Sequence, residues 1–365
     1  MSRDRAKRLA FYAPMKAPDH PNPSGDRRIA RLLIEALGSA GWDVGLASRL
    51  RAHQREGDPA AQDMLFRQAE RIVGKTLAGY ERAGEAPAIW FTYHCYYKAP
   101  DLIGPAIARA LSIPYVVAEG YRSRKRLEGP YARFAQASER ALDAARVIFH
   151  LQPRGLDALE RDRPAGQALI GLKPFLDPGP EPARRGRTGP LRLLSVAMMR
   201  PGDKLASFRA LAAALCALTC DWRLDIVGDG RAREQVEALA APFAGRVVFH
   251  GRIDDPARMR DIHEKSDLFL WPGVNEAFGM VYLEAQAAGL AVIAEDRAGV
   301  REVVAPSGRL TPPGDAAAFA AAIDAFAADR AALAMAGAAA RAHVRAHHGI
   351  EAAAAKLDET LRALT

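Results

Sequence analysis

The sequence predicts an α/β protein made of two doubly wound parallel sheets in tandem. Its 365 residues are too many for one ordinary core and suffice for two domains. Short apolar runs alternate with helical stretches along the chain, the pattern of parallel strands covered by helices on both faces. The alternation is interrupted by a segment rich in Pro, Gly and Arg and restarts after it.

The individual elements follow from this alternation. Before the interruption, the predicted strands are RLAFYAP, DVGLAS, AIWFTYH, PYVVAEG, RVIFHL and ALIGL. The helical patterns between them include GDRRIARLLIEALGSAG, PDLIGPAIARALSI and PYARFAQASERALDAA. After the interruption, the predicted strands are LRLLSVAM, DWRLDIVGDG, RVVFHG, DLFLWPG and LAVIAED. The alanine-rich tail from Asp315 is predicted to be helical, because Leu, Ile, Met and Phe recur in it.

These elements define the expected domains. We expect a first Rossmann-like domain at residues 1–175, a linker at 176–190 and a second Rossmann-like domain at 191–349. The terminal helix, at about residues 350–365, is expected to pack back on the first domain. Ligands of such sheets bind outside the carboxyl ends of the strands, so two facing sheets would hold a ligand in the cleft between them. Functional residues should therefore come directly after strands.

Composition narrows the class of protein. The three cysteines, Cys95, Cys216 and Cys220, lack metal-ligand spacing and predict free thiols in a reducing cytosol. No apolar run has the length of a spanning helix, and the N-terminus lacks the apolar stretch of a signal peptide. We therefore expect a cytoplasmic protein.

The net charge of +8 is unevenly distributed. Residues 1–190 carry 31 Lys and Arg against 21 Asp and Glu, whereas residues 191–365 carry 20 against 22. A basic half can face phosphates, anionic lipid or nucleic acid, or it can consist of solvated arginines. Charge by itself leaves these alternatives open.

The stretch VNEAFGMVYLEAQAAG, residues 274–289, places two acids around a predicted helix start near Gly279. A helix N-terminus with a glycine favours a closely approaching phosphate. Glu276 precedes the helix, and Glu284 lies about 7–8 Å along its axis from Gly279 at about 1.5 Å per residue. Carboxylates accept hydrogen bonds from hydroxyls, so the pair could hold two sugars on either side of a phosphate. Alternatively, Glu276 caps the helix and Glu284 is a solvated acid.

The longer segment NEAFGMVYLEAQAAGLAVIAEDRAGVREVV resembles the C-terminal signature of the family-4 glycosyltransferases, retaining enzymes of the GT-B fold. The resemblance rests on the E-x7-E pair with F-G inside it, the E-A-x-A-x-G run and the G-V-x-E-V-V run. It covers residues 191–310, whereas the N-terminal half matches in architecture and in a few positions. It implies a GT-B α/β enzyme that transfers a sugar from a nucleotide-diphosphate sugar to a hydroxyl acceptor.

The resemblance also implies roles for residues of the second domain. Glu276 would contact hydroxyls of the transferred sugar as a catalytic residue, and Glu284 would contact the ribose of the nucleotide. Lys204 matches the family lysine, a cation for the diphosphate. Met199 occupies the family arginine position, so Arg200 is either its replacement or an exposed loop charge. The remaining implied donor contacts are backbone groups of Phe278, Gly279, Met280, Gly228, Gly230 and Ile253, the last of which would read the nucleobase.

In the first domain the resemblance implies fewer contacts. Gly25 stands where the family has a glycine close to the donor phosphates, although an ordinary capping turn also explains it. His94 follows a strand where the family has a histidine near the transferred sugar and the acceptor, and we include it as catalytic; a structural histidine is the alternative. Tyr96 could line an acceptor pocket or simply pack. Arg122 and Arg124 could bind an anionic acceptor or a lipid surface, or be solvated.

We expect neither a metal nor a cofactor. No D-x-D pair follows a strand, and the leaving diphosphate could be neutralised by the helix start, Lys204 and Arg200. An oxocarbenium-like transition state is expected, and the resemblance implies retention of configuration. The basic half favours a lipid-linked or anionic acceptor and peripheral contact with the inner face of the membrane. No motif that reads nucleic acid is present.

Three alternatives stay open at this point. An inverting GT-B transferase or a nucleotide-sugar epimerase would need a general base, for which Asp19 and His20 are candidates. A basic nucleic-acid-binding protein would use the charge of the first half. A sensor could bind a nucleotide sugar without turnover, although the intact glutamate pair argues against it.

Overall fold

The computed structural model of the chain describes residues 7–22, 24–182 and 188–365. The chain divides into two compact units, each of which is considered by itself. The first unit extends to Lys173 and also includes Ile350–Thr365, and the second is Pro174–Gly349. Residues 1–6 of the predicted first domain and 183–187 of the predicted linker lie outside the described residues.

The first unit is built on a six-stranded parallel sheet. Its strands are β1 (Arg8–Tyr12), β2 (Asp43–Ser48), β3 (Ile89–Cys95), β4 (Tyr115–Gly120), β5 (Val147–His150) and β6 (Ala168–Gly171). They lie in the order β2-β1-β3-β4-β5-β6, and every neighbouring pair is parallel. Strands β3 and β4 are almost wholly buried, as expected of central strands covered on both faces. All six strands predicted for this half are confirmed.

Five helices accompany this sheet. They are α1 (Gly25–Ser39), α2 (Pro59–Ala83), α3 (Gly104–Leu111), α4 (Ala132–Ala144) and α5 (Leu156–Arg161). Helix α2 was not predicted, and only Gln62 and Ala69 of its residues are fully buried. Asp58 caps its start by accepting a hydrogen bond from the Ala60 N–H, and Gly84 ends it with a left-handed φ of 62°.

The second unit repeats the architecture. Its strands are β7 (Leu191–Val196), β8 (Trp222–Val227), β9 (Val247–Gly251), β10 (Leu268–Leu270), β11 (Ala291–Glu295) and β12 (Arg309–Thr311). They form a parallel sheet in the order β12-β11-β10-β7-β8-β9. The predicted strands are again found, whereas β12 was not predicted because two of its three residues are exposed and it forms no apolar run. The predicted α/β class with two parallel sheets is confirmed.

The remaining helices complete the chain. They are α6 (Asp203–Cys216), α7 (Arg233–Ala240), α8 (Pro256–Lys265), α9 (Met280–Ala287), α10 (Ala298–Arg301), α11 (Ala316–Ala328), α12 (Arg330–His348) and α13 (Ile350–Arg362). Helix α13 belongs to the first unit and packs against α1, where Trp42 Nε1 donates a hydrogen bond to Asp358. The three cysteines are free thiols, as predicted. Within the described ranges, no helix is long and apolar enough to cross a membrane.

Candidate active site

The loop between β10 and α9 carries the first predicted glutamate. Helix α9 begins at Met280, one residue after the predicted start at Gly279, which has a φ of 76°. A Cβ at Gly279 would lie 2.7 Å from the Tyr282 ring. The turn therefore requires glycine both for its positive φ and for lack of space. The first N–H groups of α9 have no acceptor within the helix, so this end can take an anion.

Glu276 and Lys204 are brought together at this helix start. Their side chains form an ion pair through Glu276 Oε1, and both are mostly buried. Trp271 donates a hydrogen bond from Nε1 to the same oxygen over 3.0 Å. The Lys204 ammonium also lies 5.5 Å from the centroid of the Trp271 ring. A cation and a carboxylate thus lie side by side next to the helix N-terminus.

Helix α6 is tied to this loop, which places Lys204. Ser207 Oγ accepts a hydrogen bond from the Val274 N–H over 2.9 Å, and Asp203 accepts one from the Asn275 side chain over 3.0 Å. Asn275 itself has a left-handed φ of 54°, which asparagine tolerates better than most residues. These contacts hold the first turn of α6 against the Glu276 loop.

The other residues predicted to contact the donor differ in how exposed they are to solvent. Arg200 is exposed, whereas Met199 beside it is fully buried and is part of the core. Glu284 is half-buried in the second turn of α9. Phe278 is buried, while Gly279 and Met280 are half-buried. The binding roles of these residues stay predictions.

Gly228 and Gly230 are needed for a reason that the sequence did not suggest. A Cβ at Gly228 would lie 1.8 Å from the Ala197 carbonyl oxygen, and one at Gly230 would lie 2.2 Å from that of Met199. The close backbone approach that these glycines permit is therefore to the chain's own segment after β7. Ile253 lies half-buried in the segment after β9. Ligand contacts of the three residues stay predictions.

His94 in the first unit pairs with Asp26. Its Nδ1 lies 2.9 Å from Asp26 Oδ1, and both side chains are largely shielded from solvent. His94 has a left-handed φ of 63°, a conformation that costs a residue with a Cβ about 1 kcal/mol. Burial by itself would raise the pKa of Asp26, but the hydrogen bond and charge of His94 outweigh it, so the pKa is lowered. This is a built pair rather than an isolated loop histidine.

Gly25 and Tyr96 lie close to this pair in the first unit. Gly25 opens α1, whose cap is the Ser24 hydroxyl accepting a hydrogen bond from the Arg27 N–H over 3.2 Å. A Cβ at Gly25 would meet nothing within 4 Å, so the backbone there is open. The Tyr96 ring lies 5.0 Å from that of His94, and burial raises the pKa of its hydroxyl to about 12. Tyr96 is thus a neutral neighbour of His94.

Arg122, a predicted acceptor contact, is largely buried and ion-paired. Its side chain is only 3% exposed and bridges Glu139 at 2.6 Å and Asp143 at 2.7 Å. The Arg122 guanidinium is thus already engaged by two carboxylates. Arg124 is exposed and forms a two-pronged ion pair with Asp162. The acceptor contacts of both arginines stay predictions.

Three residues that matter for this geometry were not singled out from the sequence. Trp271 ends the apolar run FLW, which predicts a core residue. Its ring nitrogen nevertheless donates a hydrogen bond to Glu276. Asp26 lies in the capping turn that follows Gly25, yet it holds His94. Gly299 lies so close to the loop that a Cβ would meet the Ala277 carbonyl oxygen at 1.9 Å. Only the glycine in the A-G-V run carried a signal in the sequence.

Across residues 7–22, 24–182 and 188–365, no group of three or more His, Cys, Asp or Glu side chains is arranged to hold a metal ion. The expectation of a metal-independent reaction stays a prediction.

The sequence of the second unit is similar to those of known glycosyltransferases. Residues 191–329 match the family model described as group 1 glycosyl transferases. The phosphatidyl-myo-inositol mannosyltransferase of Mycolicibacterium smegmatis is 33% identical over 178 residues, which is 48% of this chain and 44% of that protein. The D-inositol 3-phosphate glycosyltransferase of Xylanimonas cellulosilytica is 36% identical over 144 residues, 37% of this chain and 34% of that protein. The chain thus spans less than half the length of these relatives.

Solved structures resemble the whole chain. Sucrose-phosphate synthase from Thermosynechococcus elongatus has a TM-score of 0.71 at 20% identity and covers 98% of this chain and 99% of its own. The Anabaena protein HepE in complex with UDP has a TM-score of 0.71 at 15% identity and covers 98% and 100%. At these identities the likeness shows the fold alone, which is GT-B.

Proposed function

We propose that this chain, in which residues 191–329 form a group 1 glycosyltransferase domain, transfers a sugar from a nucleotide-diphosphate sugar to a hydroxyl acceptor. The observation that carries the proposal is the contact of Lys204, Trp271 and Glu276 at the start of α9. A helix start and a lysine suit a diphosphate, and a carboxylate beside them suits sugar hydroxyls.

Each residue has a separate task in this proposal. Lys204 binds oxygens of the diphosphate, and the N–H groups at the start of α9 bind the others. Glu276 accepts hydrogen bonds from hydroxyls of the transferred sugar. Glu284, one helical turn further along, accepts those of the ribose. These contacts become stronger as negative charge develops on the leaving diphosphate and positive charge develops on the sugar ring.

We propose that the reaction needs no metal ion and retains the anomeric configuration. The charge of the leaving diphosphate is met by Lys204, by the helix start and by Arg200, which is exposed at the neighbouring loop. The resemblance of the Glu276–Glu284 segment to a retaining family supports retention. Full activity in excess EDTA and an NMR assignment of the product anomer test the two points separately. Inversion of configuration would favour the epimerase-like or inverting alternative.

The donor and the place of action are proposed more broadly. Relatives of the chain include a GDP-mannose-dependent α-mannosyltransferase of Mycolicibacterium smegmatis, which makes GDP-mannose the first donor to examine. Relatives are also named for phosphatidyl-myo-inositol and inositol phosphate acceptors. We propose a lipid-linked or anionic acceptor, and a cytoplasmic enzyme in peripheral contact with the inner face of the membrane.

A thermal-shift screen tests the donor site directly. UDP-, GDP- and ADP-sugars are added to the full chain, and at least one should raise the melting temperature by mass action. Glu276→Gln and Lys204→Met should remain folded, with a lowered melting temperature because each breaks the mostly buried ion pair, and should lose transfer with the responding donor. Lys265→Met is the control, because Lys265 forms an exposed ion pair on α8. Near-normal turnover by Glu276→Gln would show that the site is wrong.

A further inference from the structure

We propose that the first unit binds a phosphate ester of the acceptor at a cationic surface formed by Arg51, His53 and Lys98. This inference rests on the proposed function, because it names the class of acceptor. Arg51 and His53 lie in the loop after β2, and Lys98 lies in the loop after β3. Both loops follow the carboxyl ends of parallel strands, where ligands of such sheets bind.

The surface is a formed part of the fold. The loop after β2 is fastened to the loop after β1 by a hydrogen bond from the Ala52 N–H to the Pro14 carbonyl over 2.9 Å. It is fastened to the loop after β3 by a hydrogen bond from the Gln54 N–H to the Lys98 carbonyl over 2.8 Å. Backbone contacts of this kind keep the three cationic side chains near one another.

The side chains themselves are held in place. Arg51 donates from Nε to the Met15 carbonyl over 3.3 Å, which leaves the outer nitrogens of its guanidinium for a ligand. The Lys98 ammonium lies 5.8 Å from the Tyr97 ring centroid and 5.7 Å from that of Tyr131. These rings contact each other edge to face at 5.2 Å. Aromatic faces thus position the lysine without neutralising its charge.

The charges of this surface are not balanced from within. No described carboxylate forms an ion pair with Arg51, His53 or Lys98. In contrast, Arg49, two residues before Arg51, is paired with Asp19 at 2.6 Å. Arg51 and Lys98 are neighbouring cations that repel each other, so a surface that keeps them together is suited to an anion.

The pKa of His53 reflects the positive charges of its neighbours. Its pKa is lowered by burial first and then by the charges of Arg51 and Lys98, with a smaller contribution from His94. Asp26 is the acid that opposes this shift, and it is already engaged with His94. A doubly charged anion beside His53 would reverse the sign of the local field. Binding should therefore be accompanied by uptake of a proton near neutral pH.

Phosphate fits this set better than a carboxylate does. A planar arginine fork, a lysine point charge and a histidine that can become protonated together match an anion with two charges and three oxygens. A single carboxylate would need one of the three cations. The phosphate monoester can be a soluble sugar or polyol phosphate or the monoester headgroup of a lipid such as phosphatidic acid, and the chemistry of the contact is the same.

Calorimetry of the full chain with glycerol 3-phosphate tests the site, with glycerol as the matched uncharged ligand. Arg51→Met and Lys98→Met should each weaken glycerol 3-phosphate binding by about tenfold, the size of one lost charge-assisted contact. Arg49→Met removes an arginine of the same loop that is already paired, and it should leave binding unchanged. Lys204→Met should also leave it unchanged, which separates this site from the donor site.

Repeating the titration in buffers of different ionisation enthalpy should show proton uptake that is absent in His53→Gln.

Two results would overturn the inference. The first is the absence of both glycerol 3-phosphate binding in solution and flotation with vesicles that contain the acidic lipid. The second is glycerol 3-phosphate binding that depends on Lys204 but not on Arg51 and Lys98. Vesicles of phosphatidylcholine with and without phosphatidic acid, which carries a phosphate monoester, identify the source. Flotation that Lys98→Met abolishes indicates a lipid headgroup, and glycerol 3-phosphate binding without flotation indicates a soluble ester; both support the site.

The outcome is independent of the donor screen. If no nucleotide sugar shifts the melting temperature while glycerol 3-phosphate binding still depends on Arg51 and Lys98, the proposed function fails and the phosphate site stands. If a nucleotide sugar binds and is turned over while no phosphate binding is found, the proposed function stands and the phosphate site fails.

Discussion

Trp271 donates a hydrogen bond from Nε1 to Glu276 Oε1 over 3.0 Å, the same oxygen that pairs with Lys204. Neither contact uses the second carboxylate oxygen, Oε2. Trp271 is itself held by the Tyr282 hydroxyl, which donates to its carbonyl over 3.0 Å, and by the Phe208 ring at 5.0 Å. The tryptophan is therefore a positioning residue that sets the direction of the Glu276 carboxylate.

Trp271→Phe should lower the kcat of sugar transfer by about tenfold, because it removes a hydrogen bond to a charged group while keeping an aromatic ring. Steady-state kinetics measure the effect. The control is Trp222→Phe, since the Trp222 ring nitrogen is buried and, among the described residues, has no hydrogen-bond partner. An equal loss of kcat in both variants would contradict a positioning role and indicate a general packing effect.

Gly299→Ala should displace the Glu276 loop. The new methyl group would lie 1.9 Å from the Ala277 carbonyl oxygen and 2.7 Å from that of Glu276, and backbone atoms cannot yield at such distances. We expect transfer to be lost and the free energy of unfolding to fall by about 2 kcal/mol.

Gly74→Ala in α2 is the control. Its methyl group would meet nothing within 4 Å and should stabilise the helix by about 0.5–1 kcal/mol in denaturant titrations. Full activity in Gly299→Ala would mean that the loop does not depend on this contact.

Arg122→Met and Arg124→Met should differ sharply in stability. Removing Arg122 leaves Glu139 and Asp143 without their buried partner, and we expect a loss of about 3 kcal/mol. Removing Arg124 breaks an exposed pair and should cost less than about 1 kcal/mol. Urea titration measures both. Selective loss of acceptor binding in a fully stable Arg122→Met protein would support the predicted acceptor contact.

Asp26→Asn should change the acid stability of the protein. The pKa of Asp26 is lower in the folded chain than in the unfolded one, so its contribution is complete above the unfolded pKa of about 3.9. The contribution is lost as the pH falls through the folded pKa. At neutral pH, Asp26→Asn should be less stable by about 1 kcal/mol, and the difference should shrink on acidification.

Urea titrations between about pH 3 and pH 7 follow this difference. Asp19→Asn is the control, because it removes an exposed ion pair and should change stability by less than about 0.5 kcal/mol at neutral pH. A difference between wild type and Asp26→Asn that stays constant with pH would show that Asp26 is held by its neighbours without regard to its charge.

Much of the fold could be predicted because its signal is local. Buried parallel strands are apolar on both faces, so runs such as AIWFTYH stand out along the chain. Helix α2 and strand β12 were missed, since one has few fully buried residues and the other is largely exposed. The site was predicted in the same uneven way. Glu276 and Lys204 came from a resemblance and do contact each other, although 72 positions separate them.

The ion-pair partners of two arginines could not be predicted from the sequence. Arg122 and Arg124 lie in a basic run, and a run of charges gives no information about which carboxylates will face it. The partners Glu139, Asp143 and Asp162 come from α4 and from the residue that ends α5. Arg51 and Lys98, in contrast, lie in unremarkable loops and remain without acidic partners among the described residues.

The sequence by itself determined the α/β class, the two parallel sheets, nearly all of the strands and the helix that begins at Met280. These depend on periodicity, glycine and capping, which act over a few neighbouring residues. Only the tertiary structure decided that Trp271 holds Glu276, that Asp26 holds His94, and which arginines are already paired. Hydrogen bonds and ion pairs of this kind join side chains from different elements. They depend on how the sheet brings strand ends together, and no local pattern encodes that.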